Sequence, residues 1–114
     1  PALDLLTDGE LDASEMTLKN AQHLCDSAPW GQGFEEPIFY GDFEILDQKV
    51  VGEKHLKCTL KLIDASAIFE GIAFFQEKLE SKQVIVAYKL NVNSFRGNES
   101  LQLMIESIEE NAVS

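Results

Sequence analysis

Apolar residues recur at two different spacings along the chain, and the change of spacing divides it. Leu18, Ala21, Leu24, Cys25 and Ala28 fall three and four apart, the single stripe of an amphipathic helix. Asp12 is placed to cap that helix and Glu15, three residues on, completes a capping box. Pro29 predicts its end. Ahead of the helix, residues 3–11 read as a short strand or extended lead-in, with Asp8-Gly9 as a turn. From residue 38 the spacing becomes that of strands. Residues 38–46 are rich in aromatic and β-branched side chains, with Gly41 the expected bend or bulge. Gly52 marks the next turn. Leu56, Cys58, Leu60 and Leu62 then alternate with Lys57, Thr59 and Lys61, a strand with one wet, basic face. Residues 67–75 form a third strand, apolar on both faces around Gly71. Residues 77–82 are a polar connector with room for a helical turn. Val84, Val86, Tyr88, Leu90 and Val92 make a fourth strand, residues 93–98 a loop, and Leu101, Leu103 and Ile105 a fifth strand. The last residues are expected to fray.

The expected fold is therefore all-β, a five-stranded OB-fold barrel preceded by one amphipathic helix. SH3-like barrels and half-sandwiches fit the same pattern. The stretch Pro29-Trp30-Gly31-Gln32-Gly33-Phe34-Glu35-Glu36-Pro37 joins helix to strands. Its glycines and prolines predict a rigid corner, with Trp30 and Phe34 packed beneath it. This divides the chain into a lead-in strand and linker helix, 1–34, and a barrel domain, 35–114.

Composition narrows the function classes. The chain has 114 residues, 45% hydrophobic and 25% charged, which suits one globular domain. No apolar run nears the roughly 20 residues that cross a bilayer, and no basic-then-apolar leader is present. A cytoplasmic protein with no membrane partner is expected. The chain opens on Pro1, which predicts a processed product or an excised fragment. Cys25 and Cys58 lie far apart and are expected to be reduced and partly buried. With His23 and His55 they do not make the ligand spacing of a zinc site. The net charge of −11 argues against non-specific nucleic-acid binding. The charge is unevenly spread, however. Residues 1–47 hold eleven acids and one base, whereas Lys49, Lys54, Lys57 and Lys61 face only Glu53 within residues 48–61.

Three blocks carry a family resemblance. They are the corner above with Ile38-Phe39, then Val51-Gly52-Glu53-Lys54-His55-Leu56-Lys57, then Asn93-Ser94-Phe95-Arg96-Gly97 followed by Leu101-Gln102-Leu103. With the lead-in Asp8-Gly9-Glu10-Leu11, they resemble the C-terminal OB-fold region of the bacterial single-strand-specific exonuclease family RecJ, a DHH family. Trp30 and Phe34 stand where that family usually has Phe and Asn. The resemblance implies a parent enzyme in DNA recombination and repair that degrades single-stranded DNA from 5′ to 3′ with manganese or magnesium. The Asp-His-His metal motif of the family is absent from this sequence, so no catalytic residue, metal ligand or cofactor is carried over. The implied partners are single-stranded DNA, the catalytic domains of the same polypeptide, and single-stranded-DNA-binding protein.

OB-folds hold single strands with a positive groove and aromatic faces, on the middle strands and the loops between strands 1–2 and 4–5. The candidate contacts are Lys49, Lys54, His55, Lys57, Phe95 and Arg96. The resemblance covers His55, Lys57 and Arg96, and the fold placement adds Lys49, Lys54 and Phe95. Each has a plainer use. Lys57 and Lys61 suit the solvated face of a strand, His55 a strand cap and Arg96-Gly97 a turn. The leading function is a single-stranded-DNA-binding domain, non-catalytic by itself. The alternative is a protein-docking barrel that contacts the exonuclease body or single-stranded-DNA-binding protein, which the acidity favours. A free-standing enzyme has almost no support.

Overall fold

The period-two alternation after residue 38 closes into one sheet. In this computed structural model, residues 9–27 and 36–110 are described. The elements are β1 (Gly9–Glu10), a 3-10 turn (Ala13–Glu15), α1 (Leu18–Ser27), β2 (Phe39–Val51), β3 (His55–Leu62), β4 (Ile68–Ala73), β5 (Gln83–Phe95) and β6 (Asn98–Glu110). β2, β3 and β4 form an antiparallel meander, and β5 and β6 a hairpin. β5 returns to pair with β2, and β4 pairs with β6 in parallel through Gly71↔Leu103 and Ile72↔Met104. These two seams close the barrel, and the result is an OB-fold.

Inward positions of every barrel strand supply the core. Phe39, Phe43, Leu56, Leu60, Val84, Val86, Tyr88 and Leu103 are fully buried. Phe43 meets Tyr88 edge-on with ring centroids 5.8 Å apart, and Phe39 lies 6.1 Å from Tyr88. Such pairs add about 0.5–1.5 kcal/mol beyond area burial. The Tyr88 hydroxyl donates to Met16 Sδ at 3.6 Å, which ties the segment before α1 into the same core. Ala21 and Leu24 are buried there too, so the apolar stripe of α1 docks on the barrel, against β5 and β6. Among the described residues, no buried side-chain nitrogen or oxygen lacks a partner.

Several local expectations change. Gly9 is not in a turn: Gly9–Glu10 pairs in parallel with Phe39 and Tyr40. Asp8, Trp30, Phe34 and Pro29 lie outside the described residues. The helix is broken at its start. Glu15 accepts from the Asp12 N–H at 2.9 Å, as a capping box requires, but this closes only the 3-10 turn. Thr17 Oγ1 then accepts from the Asn20 N–H at 3.1 Å and caps α1. The irregularity in β2 lies between Ile45 and Asp47, not at Gly41. Gly41 is instead a close approach, where a Cβ would stand 2.9 Å from the Phe43 ring. Residues 77–82 contain no helical turn. The expected loop at 93–98 is a two-residue turn, since Asn93, Ser94 and Phe95 pair with Ser100, Glu99 and Asn98. Cys25 is exposed and Cys58 buried; both are free thiols.

Candidate nucleic-acid interface

Cross-strand register lays out the outer face of the β2–β3–β4 meander in rows. Starting from the β2–β3 turn, the first row is Val51, His55 and Phe74; the ring of Phe74 stands 4.9 Å from that of His55. The second is Lys49, Lys57 and Ile72, with both lysines exposed. The third is Asp47, Thr59 and Glu70, where the Thr59 hydroxyl donates to Glu70 at 3.2 Å. The fourth is Glu44, Lys61 and Ile68. The basic face read from β3 is thus interrupted by acids from both neighbouring strands. Positive charge gathers at the turn end, where Lys54 is also exposed.

His55 is fixed rather than free. Gly52, at φ +59°, turns the chain into β3. The His55 Nδ1 accepts from the Phe75 N–H at 3.1 Å, and the Phe75 ring also stands 4.9 Å away, edge-on. Phe75 has φ +56°, a backbone region that bulky side chains seldom occupy, and is 79% exposed. Beside it a cleft of about 350 Å³ is lined by Val50, Glu53, Lys54, Phe75, Gln76, Glu77 and Lys78.

Phe95 and Arg96 are elsewhere. β5 runs antiparallel to β2 with Tyr88 opposite Phe39, so residues 89–95 continue past the start of β2. The Arg96-Gly97 turn therefore lies at the end of the ladder remote from the β2–β3 turn. Phe95 is 65% exposed, and the Arg96 guanidinium stands 5.2 Å from its ring centroid. The six candidates form two groups: Lys49, Lys54, His55 and Lys57 around one hairpin, and Phe95 with Arg96 on the other. Phe74, Phe75 and Lys78 escaped the sequence reading. Two adjacent aromatics at a strand end were the available signal, because neighbouring strand residues point to opposite sides and one must leave the core.

The described residues include no group of three or more His, Cys, Asp or Glu side chains arranged to hold a metal ion. No helix among them is long and apolar enough to cross a membrane.

Comparison with known proteins bears on this arrangement. The family described as RecJ OB domain matches residues 7–107. The single-stranded-DNA-specific exonuclease RecJ of Escherichia coli (strain K12) is 43% identical over 110 residues, covering 92% of this chain and 19% of the relative. The protein of the same name from Haemophilus influenzae is 44% identical over 110 residues, covering 90% and 19%. The chain spans about a fifth of the length of these relatives. A crystal structure of RecJ in complex with Mg2+ from Thermus thermophilus matches with a TM-score of 0.67 at 20% identity, over 93% of this chain and 16% of that one. The Mn2+ complex from the same organism gives 0.56 at 23%, over 75% and 12%. At these identities the structural likeness is one of fold.

Proposed function

This chain belongs to the RecJ OB domain family, and from that premise we propose that it is the single-stranded-DNA-binding module of a cytoplasmic 5′-to-3′ DNA exonuclease of recombination and repair. In this reading, catalysis with manganese or magnesium resides in other domains of the same polypeptide. The present chain grips the strand. One observation carries the reading: Lys49 and Lys57 stand side by side next to His55 and Lys54, on the face and loop by which OB-folds hold oligonucleotides. Arg96 and Phe95 extend the contact from the second hairpin.

The net charge of −11 sets a repulsive background, so binding by the isolated chain is weak. Tethering to catalytic domains raises the local concentration of the module on the strand and offsets this weakness. The test is an anisotropy titration of labelled oligo-dT at low and moderate salt, with duplex DNA as competitor. Binding should be single-strand-selective and fall with salt by about 0.7 in log–log slope per phosphate contacted. Lys57→Ala and Arg96→Ala should each weaken it and flatten the slope by about that amount. Wild-type chain that fails to bind at low salt removes the reading. Docking onto catalytic domains or single-stranded-DNA-binding protein then takes its place, a role that the acidic third row and the exposed Ile68 favour.

A further inference from the structure

We propose that Phe75, presented by His55, is a base-stacking platform for the single strand, with Lys54 and Lys78 placed to meet the phosphates on either side. The inference rests on the single-strand reading above and assigns it a specific contact. Phe75 is the most exposed of the large apolar side chains among the described residues, at 79%. Its backbone lies in the left-handed region, which a bulky residue occupies only when its surroundings hold it there. The holder is visible. His55 Nδ1 takes the Phe75 N–H, and the two rings meet edge-on. In this edge-to-face arrangement Phe75, at 79% exposure, keeps ring surface open. Gly52, at φ +59°, makes the turn that brings His55 to the start of β3. The Gly-x-x-His spacing of the second sequence block therefore ends in a presented aromatic ring.

The surroundings select the occupant. The cleft beside Phe75 has about 350 Å³, within the roughly 300–1,000 Å³ of small-ligand sites, which suits a planar base. Lys54 and Lys78 line it, and Lys49 and Lys57 lie one row away on the same hairpin. Glu53 and Glu77 also line it; as acceptors they suit the N–H donors on base edges, thymine N3–H included, and not the phosphates. An acidic peptide, the other ligand that four lysines could attract, would meet these two carboxylates inside the cleft. Phe95 is the weaker platform, because the Arg96 guanidinium already lies against its ring.

The experiment compares oligo-dT with an abasic oligonucleotide of the same length, at low salt, by anisotropy on the 114-residue chain. Phe75→Leu should weaken oligo-dT binding by roughly fivefold or more and leave the salt slope unchanged. Phe75→Tyr should bind like wild type. The abasic strand should bind wild type and Phe75→Leu alike. Thermal melts by circular dichroism check folding, and Phe74→Leu serves as a second variant that leaves the strained position untouched, with a smaller loss expected. Equal oligo-dT affinity for wild type and a folded Phe75→Leu overturns the platform and leaves the single-strand reading standing. Absence of any salt-dependent oligo-dT binding by wild type overturns both. Preferential capture of an acidic peptide at this cleft, lost in Phe75→Leu, transfers the site to a protein partner and overturns the platform.

Discussion

Arg96 occupies a backbone position that its own side chain disfavours. Arg96 and Gly97 both have positive φ, 52° and 82°, as a two-residue turn between twisted strands demands. Asn-Gly is the preferred pair for such a turn, because Asn tolerates the left-handed region better than Arg. Arg96→Asn should therefore raise stability in urea unfolding by about 0.5–1 kcal/mol while it lowers single-strand affinity. No gain in stability would mean that the Arg96–Phe95 contact already offsets the strain. The cysteines offer a second check at this scale. Burial, then Asp47 and Glu70, push the Cys58 thiol up to about 11. Cys25 is also raised, by burial first and then by Glu36, Asp26 and Glu99, but it is exposed. At pH 8 a thiol reagent should titrate one thiol in the folded chain, slowly, and both in denaturant. Equal reaction of both thiols in the folded chain would contradict the buried position of Cys58.

The connector between β4 and β5 has no regular structure, yet beyond the Phe75–His55 bond side chains hold it at its middle and near its end. Gln48 Oε1 accepts from the Leu79 N–H at 2.7 Å, and its Nε2 donates to the Leu79 carbonyl at 2.9 Å. Glu110 accepts from the Ser81 N–H at 2.6 Å and the Glu80 N–H at 2.8 Å. These bonds, that from Ser81 foremost, hold the Glu110 carboxyl below its usual range. A depressed folded-state pKa means that the contribution is present above the ordinary glutamate value of about 4.3 and lost as pH falls through the depressed one. Glu110→Gln should thus melt below wild type at neutral pH, with the gap closing in acid. A gap independent of pH would assign the effect to something other than ionisation. The elements themselves were unevenly legible. Strand cores announced themselves by alternation, since one face of each is buried. The ends of β5 and β6 did not, because residues 93–100 are exposed on both faces and are held by backbone pairing and a Gln22–Glu99 hydrogen bond and not by a buried face. The start of α1 was misread for a related reason. The Asp12–Glu15 pairing is real, but Met16 then turns into the core and Thr17 begins the helix afresh.

At the scale of the molecule, charge proved harder to read than fold. Five alternating segments with a connector after the third fitted this barrel but also SH3-like barrels and half-sandwiches, and the ordered sequence blocks singled out the OB-fold. The excess of lysine in residues 48–61 was also real, but a linear count cannot see across strands. Asp47 and Glu70 arrive beside Thr59 only through pairing, and they cut Lys61 off from Lys57. The double variant Asp47→Asn with Glu70→Gln should join the two lysines into one strip. Single strands should then bind severalfold tighter at low salt, with the gain fading as salt rises. An unchanged affinity would confine the contact to the turn end. The parallel seam between β4 and β6 bears on how such a chain is made. β4 has its outer edge covered only through Gly71↔Leu103 and Ile72↔Met104, so the partner of that edge is synthesised about thirty residues after it. At translation speeds of about 5–20 residues per second, the nascent meander carries a bare strand edge for roughly 2–6 s. Exposed edges recruit other strands. For those seconds the ribosome-borne chain is at its most vulnerable to aggregation, and a chaperone that shields extended segments has its opening there.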